Sequence, residues 1–214
     1  MDLEALRVEY ETAGLDIGDL DPDPIVQVAR WLAEWTAVAP NEPAAVVLAT
    51  ADAAGRPSAR TVLMRGFDER GCTVFTSYDS RKGQDLAANP YGAILCSWVP
   101  LLRQVSVRGP VAEVPRIESE AYFATRPRGS QLAAWASHQS SVLADRAELE
   151  ARFAEADERF GDQDVPCPPY WGGYRLTPDE IELWQGRPNR MHDRLRYERD
   201  PTDPPTWRVD RLSP

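Results

Sequence analysis

Four short stretches carry the residue types that binding and catalysis need. In Arg60-Thr61-Val62-Leu63-Met64-Arg65, strand alternation puts Arg60, Val62 and Met64 on one face and Thr61, Leu63 and Arg65 on the other. Two arginines bracketing an apolar strand either grip an anion or are solvated strand ends. Thr76-Ser77 and Ser80-Arg81-Lys82 close one strand and open a helix, which is either a phosphate site or an ordinary cap with two exposed bases. Arg126-Pro127-Arg128-Gly129-Ser130-Gln131 reads as an anion-binding loop or a solvated one, and Gln139-Ser140-Ser141 adds amide and hydroxyl groups. The densest stretch is Trp184–Arg194, with an aromatic, an amide, three arginines (Arg187, Arg190, Arg194) and His192. Such a set suits a ligand wall, although Trp184 alone reads equally as core and His192 alone as structural.

Composition narrows the chemistry. Of 24 basic residues 23 are arginine, so a lysine Schiff base would have to use Lys82. Three separated cysteines and two histidines argue against a disulfide scaffold or a metal site. The net charge of -10 argues against a nucleic-acid binder. Most of that charge sits in residues 1–43 and 145–164, leaving the rest at +3, where an anionic small ligand fits. The chain lacks GxGxxG, P-loop and HExxH motifs, internal repeats and any apolar run of membrane-spanning length. The acidic start, Met1-Asp2-Leu3-Glu4, is unlike a signal peptide, so a cytoplasmic protein is expected.

The elements that must position these residues are mostly strands. After a short helix over 3–12, Asp23-Pro24 opens a helix with Ile25, Val28, Ala29, Leu32 and Trp35 on one face. Strands are predicted at 44–51, 58–67, 72–78, 91–98 and 103–114, the last broken near Gly109-Pro110, with a helix at 80–88. Helices over about 116–125 and 145–160 flank a polar loop, 126–141. Strands follow at 172–176, 180–185, 194–198 and 207–211. Turns at short intervals favour a mainly β fold, a closed antiparallel barrel with peripheral α-helices, over a doubly wound sheet.

In order along nearly the whole chain, the motifs RVEY (7–10), RTVLMRGFDERG (60–71), SRKGQDLAANP (80–90), RQVSVRG (103–109), YFATRPRGSQLAAWASHQSS (122–141), WGGYRL (171–176), WQGRPNRMHDRLRY (184–197) and the terminal RLSP resemble the pyridoxamine (pyridoxine) 5′-phosphate oxidase family. The resemblance implies one FMN-binding split β-barrel domain over 1–214. Within it, 1–43 would be an N-terminal helical segment and 171–214 a segment for dimerisation and the active site. It implies a homodimer with FMN at the subunit interface. The implied reaction oxidises pyridoxamine or pyridoxine 5′-phosphate with O2 to pyridoxal 5′-phosphate and H2O2.

The resemblance also assigns residues. Arg60, Thr61, Val62, Leu63, Met64, Phe75, Thr76, Arg81, Lys82, Gln104, Gln139, Ser140, Trp184 and Arg194 match FMN positions. Arg65, Tyr122, Arg126 and Ser130 match the group that holds the substrate phosphate. Arg190 and His192 match residues at the pyridine ring and reacting carbon, the catalytic candidates. Arg7 and Tyr10 match a segment closing over the site. Arg65 stands where many members have lysine, Leu101-Leu102 where an acid is common, and Leu183 where an aromatic is frequent. Two alternatives share these motifs: a related flavin oxidase acting on another substrate such as a phenazine precursor, and a non-catalytic flavin- or pyridoxal-phosphate-binding protein.

Overall fold

In the computed structural model, residues 10–39, 41–201 and 206–214 are described. Hydrophobic alternation sets the first strands. β1 (Ala45–Ala51) turns Val46, Leu48 and Thr50 inward, and β2 (Pro57–Asp68) pairs with it antiparallel from Ala45↔Leu63 to Ala51↔Pro57. β3 (Gly71–Ser77), β4 (Tyr91–Trp98), β5 (Arg103–Glu113) and β6 (Trp171–Leu176) complete a ring in the order β4-β1-β2-β3-β6-β5, which β4 and β5 close by pairing. The result is the closed antiparallel barrel that the turn spacing predicts, here with six strands. β7 (Glu180–Gln185), β8 (Asp193–Arg199) and β9 (Trp207–Leu212) extend from β5 as a three-stranded flap.

β5 is the corner between barrel and flap. Residues 103–108 pair with β7 on one side, and residues 111–113 pair with β6. The change falls at Gly109-Pro110, where sequence suggests a break. The strand runs through, and proline, lacking an N–H, sits where the partner changes.

Helices cover the barrel's outside. α1 (Pro24–Val38) starts where the Asp23 carboxylate accepts the Ile25 amide at 2.8 Å. It lays Val28, Trp31 and Trp35 against the barrel, where Trp35 stacks on Trp98 at 6.2 Å. α2 (Arg81–Ala88) is capped by Ser80. α3 (Arg116–Ala124), α4 (Arg128–Ala136) and α5 (Arg146–Phe160) share a second core of Phe123, Leu132, Ala156, Phe160, Val165 and Trp171. Burying each large side chain contributes roughly 1.5–3 kcal/mol, so this cluster suffices to hold three short helices on β6.

Two expectations need revision. The segment 126–141 is not all loop, because α4 occupies 128–136. Its apolar face is narrow, with only Leu132 and Ala136 buried, so periodicity alone under-reads it. Of the helix expected over 3–12, residues 3–9 lie outside the described residues, and Tyr10–Thr12 are not helical.

Candidate active site

The barrel wall opens between β2 and β3. Ladder pairing between them begins only at Met64↔Val74, with a bulge between Met64 and Gly66. β3 pairs with β6 over its whole length, from Cys72↔Leu176 to Ser77↔Trp171, so beyond Val74 only its edge toward β2 is unpaired. Residues 60–63 therefore keep β1 as strand partner and turn their other edge to a cavity of about 350 Å³. Arg60, Thr61, Val62, Leu63, Arg65, Phe75, Thr76, Lys82, Tyr122, Arg126, Gln139 and Trp171 line it.

One end of the cavity is cationic. Lys82 is 7% exposed, and its Nζ donates to Thr76 Oγ1 (2.9 Å), Ser80 Oγ (3.1 Å) and Gln139 Oε1 (2.8 Å). Every partner among the described residues is neutral. Burial, and then the neighbouring Arg60 guanidinium, lower the Lys82 pKa to about 8. The Arg81 backbone amide at the start of α2 donates to Ser140 Oγ at 3.2 Å, which draws the 139–141 turn to the same place. A buried ammonium without a carboxylate, beside a second cation and a helix N-terminus, fits a phosphate.

The other end is aromatic with a second cation pair. Phe75 stacks on Tyr122 at 4.0 Å, and Tyr122 lies nearly parallel to Trp171 at 6.2 Å. The Arg126 guanidinium sits 4.7 Å from the centre of the Trp171 ring, and its Nη1 is buried without a hydrogen-bond partner. Burial lowers the Arg126 pKa, and Arg65 adds repulsion. Arg65 itself is exposed at the cavity rim. Two adjacent cations, one with an orphaned N–H, fit a second anion. Ser130 is half-buried in the first turn of α4 but does not line the cavity. Met64 is buried in the main core and does not line this cavity.

The remaining candidates gather on the flap. Gln104, Trp184 and Arg194 stand opposite one another across β5, β7 and β8. Trp184 lies 4.7 Å from His192, and Tyr10 packs on both, 6.3 Å from Trp184 and 5.9 Å from His192. Gly186 permits that approach, since a Cβ there would stand 2.8 Å from the Tyr10 ring. The Arg187 amide donates to His192 Nδ1 at 3.1 Å, leaving Nε2 as the ring nitrogen available to a ligand. Arg194 is gripped by both oxygens of Glu182 (2.8 and 3.0 Å). Arg190 is exposed, on left-handed backbone at φ 61°. Arg7 lies outside the described residues. Among the described residues, Tyr10, Gln104, Trp184, Arg190, His192 and Arg194 do not line this cavity, so the predicted set falls into two separate groups.

Sequence reasoning gave no role to Trp171, Glu182 or Asp85. Only Asp85 had a local signal, four residues after Arg81 on a helix.

A six-stranded barrel opened between two strands and flanked by helices is the split barrel of FMN-binding proteins. A solved structure of a pyridoxamine 5′-phosphate oxidase-related FMN-binding protein from Nostoc punctiforme shares it (TM-score 0.70, 16% identity, 91% of this chain and 100% of that one). PhzG from Burkholderia lata, solved with tetrahydrophenazine-1-carboxylic acid, is nearer, with TM-score 0.86 and 34% identity over 94% of this chain and 98% of that one.

Residues 33–160 match the family model described as pyridoxamine 5′-phosphate oxidase. Residues 171–214 match the pyridoxine 5′-phosphate oxidase C-terminal dimerisation region. A pyridoxine/pyridoxamine 5′-phosphate oxidase of Burkholderia multivorans is 54% identical over 212 residues, 99% of each chain. One of Rubrobacter xylanophilus is 54% identical over 213 residues, 100% of this chain and 97% of its own. The chain belongs to the pyridoxamine 5′-phosphate oxidase family, and it is an enzyme of that family.

Proposed function

We propose that the protein is a cytoplasmic homodimer that oxidises pyridoxamine 5′-phosphate and pyridoxine 5′-phosphate to pyridoxal 5′-phosphate. FMN would be the cofactor, and O2 would be consumed with release of H2O2. The observation that carries this reading is one cavity with two sets of cations that lack carboxylate partners, Lys82 at one end and Arg65 with Arg126 at the other. Two phosphates, one on a flavin and one on a small aromatic substrate, match that arrangement. The relatives that bear the oxidase name are 54% identical, against 34% for the phenazine-bound one, which favours vitamin B6 phosphates as substrate.

Lys82, Arg60 and Arg81 would hold the ribityl phosphate, with Thr76, Gln139 and Ser140 completing the donor set. The free edge of Arg60–Leu63 would run beside the ring system. Arg65, Tyr122, Arg126 and Ser130 would bind the substrate phosphate. The half-site on the flap would come from a second copy of the chain: Gln104, Trp184 and Arg194 toward the flavin, Arg190 and His192 toward the substrate ring. His192, with Nδ1 already accepting a hydrogen bond, would present an Nε2–H that donates to the substrate. Tyr10 would shield that side from water. Bound FMN would supply the hydride acceptor and the route to oxygen.

Aerobic turnover of FMN-loaded protein with pyridoxamine 5′-phosphate tests this, with aldehyde and peroxide read together. Equal amounts of both are expected. A yellow protein that yields neither, with either B6 phosphate, would overturn the assignment.

A further inference from the structure

Beneath the cation cluster lies a carboxylate that the functional reading leaves without a task. Asp85 stands one helical turn beyond Arg81 and is 2% exposed. Its Oδ1 accepts from Arg81 Nε at 2.8 Å. Its Oδ2 accepts from the hydroxyls of Thr50 and Ser58, both at 2.7 Å, and lies 3.8 Å from Arg60 Nη2. Each hydroxyl has one hydrogen, and Asp85 takes both, so their lone pairs face Arg60. Thr50 Oγ1 accepts from Arg60 Nη1 at 2.8 Å, and Ser58 Oγ accepts from Nη2. Arg60 Nη1 also reaches the Leu48 carbonyl at 3.0 Å.

By charge alone, Asp85 opposes an anion site, because it offsets one of the cations that meet the phosphate. Its geometry does something else. One buried carboxylate ties a guanidinium from β2 and a guanidinium from α2 to a single point. We infer that Asp85 is a positioning residue that locks Arg60 and Arg81 into one rigid phosphate-binding frame. The inference rests on reading the cavity as a flavin phosphate site.

The two roles have opposite signs. If Asp85 acts only as a charge, Asp85→Asn tightens FMN. If it positions the frame, Asp85→Asn weakens FMN, since an amide cannot accept from Thr50, Ser58 and Arg81 at once. The experiment measures dissociation constants of the full-length apoprotein for FMN and for riboflavin, which lacks the phosphate. Asp85→Asn should weaken FMN about tenfold and move riboflavin less than about twofold, which lowers the phosphate preference about tenfold. Thr50→Val removes one of the two hydroxyl relays to Arg60 and should lower that preference by a smaller factor, about threefold. Asp85→Glu, which restores the acceptor, should recover part of the preference.

A folded Asp85→Asn protein with unchanged preference, or with tighter FMN, would overturn the inference. If Asp85→Asn does not fold, an unchanged preference in Thr50→Val overturns it instead. Wild-type protein that binds neither flavin would overturn the functional reading and this inference together. Wild-type protein that prefers FMN, beside variants that prefer it equally, would remove the inference alone.

Discussion

Lys82 and Arg126 show how much a residue's partners decide. Lys82 is the one lysine of the chain, and with burial and Arg60 lowering its pKa to about 8 it is charged at neutral pH but not far above it. A bound phosphate stabilises the ammonium, so the complex has the higher pKa. Affinity is therefore fully present below pH 8 and is lost as pH rises through the free protein's value. The FMN dissociation constant should rise about tenfold between pH 7 and pH 9, and Lys82→Met should weaken binding at pH 7 and flatten the profile. Titration of flavin fluorescence at several pH values measures both. Arg126, with its guanidinium over Trp171 and its Nη1 orphaned among the described residues, is proposed to hold the other anion. Arg126→Gln should raise the KM for pyridoxamine 5′-phosphate about tenfold or more and leave FMN affinity unchanged. Equal losses in both would place Arg126 on the flavin instead.

Among the elements, α2 matters most, because its first turn carries Arg81 and Lys82 and its second Asp85. Its height above β3 is set by Gly83, where a Cβ would stand 1.9 Å from the Tyr78 carbonyl oxygen. Backbone against backbone cannot yield as a flexible side chain does. Gly83→Ala should lift the helix N-terminus, destabilise the protein by about 1–3 kcal/mol and weaken FMN. Thermal melting with and without FMN separates the two effects, and a variant with wild-type Tm and affinity would show that α2 is free to shift. The strands are legible because their alternation is strong: the apolar run 44–51 corresponds to β1 (Ala45–Ala51), and the run 180–185 is the whole of β7. α4 was not legible, because Arg128, Gly129, Ser130 and Gln131 open it and one leucine, Leu132, anchors it. Polar composition outweighed a helix that packing against α5 selects.

For the whole molecule, the separation of the predicted residues into two groups is the main consequence. The barrel opening supplies one and the flap the other, and the flap belongs to the region that matches a dimerisation model. If each site joins the opening of one copy to the flap of another, defects in different halves complement. Arg126→Gln and His192→Ala proteins, each weak alone, should regain about a quarter of wild-type activity when mixed, unfolded and refolded together. Half of the dimers are then mixed, and each mixed dimer has one intact site. No recovery, with mixed dimers present by mass, would place both halves in one chain.

The sequence by itself determined the local features. It set the Asp23 and Ser80 caps, the alternating strands, the excess of arginine, and the order and spacing of the motifs that carry the family resemblance. Those depend on neighbours within a turn or a strand. Only the tertiary structure decided which cations already have a carboxylate partner. Arg194 looks as available in sequence as Arg126, yet Glu182 grips it across a strand pair while Arg126 keeps an unpaired N–H. Lys82 meets Gln139 across 57 residues, and Thr50 reaches Asp85 across 35. Burial and pairing of charge are set by contacts of that range, and spacing along the chain does not contain them.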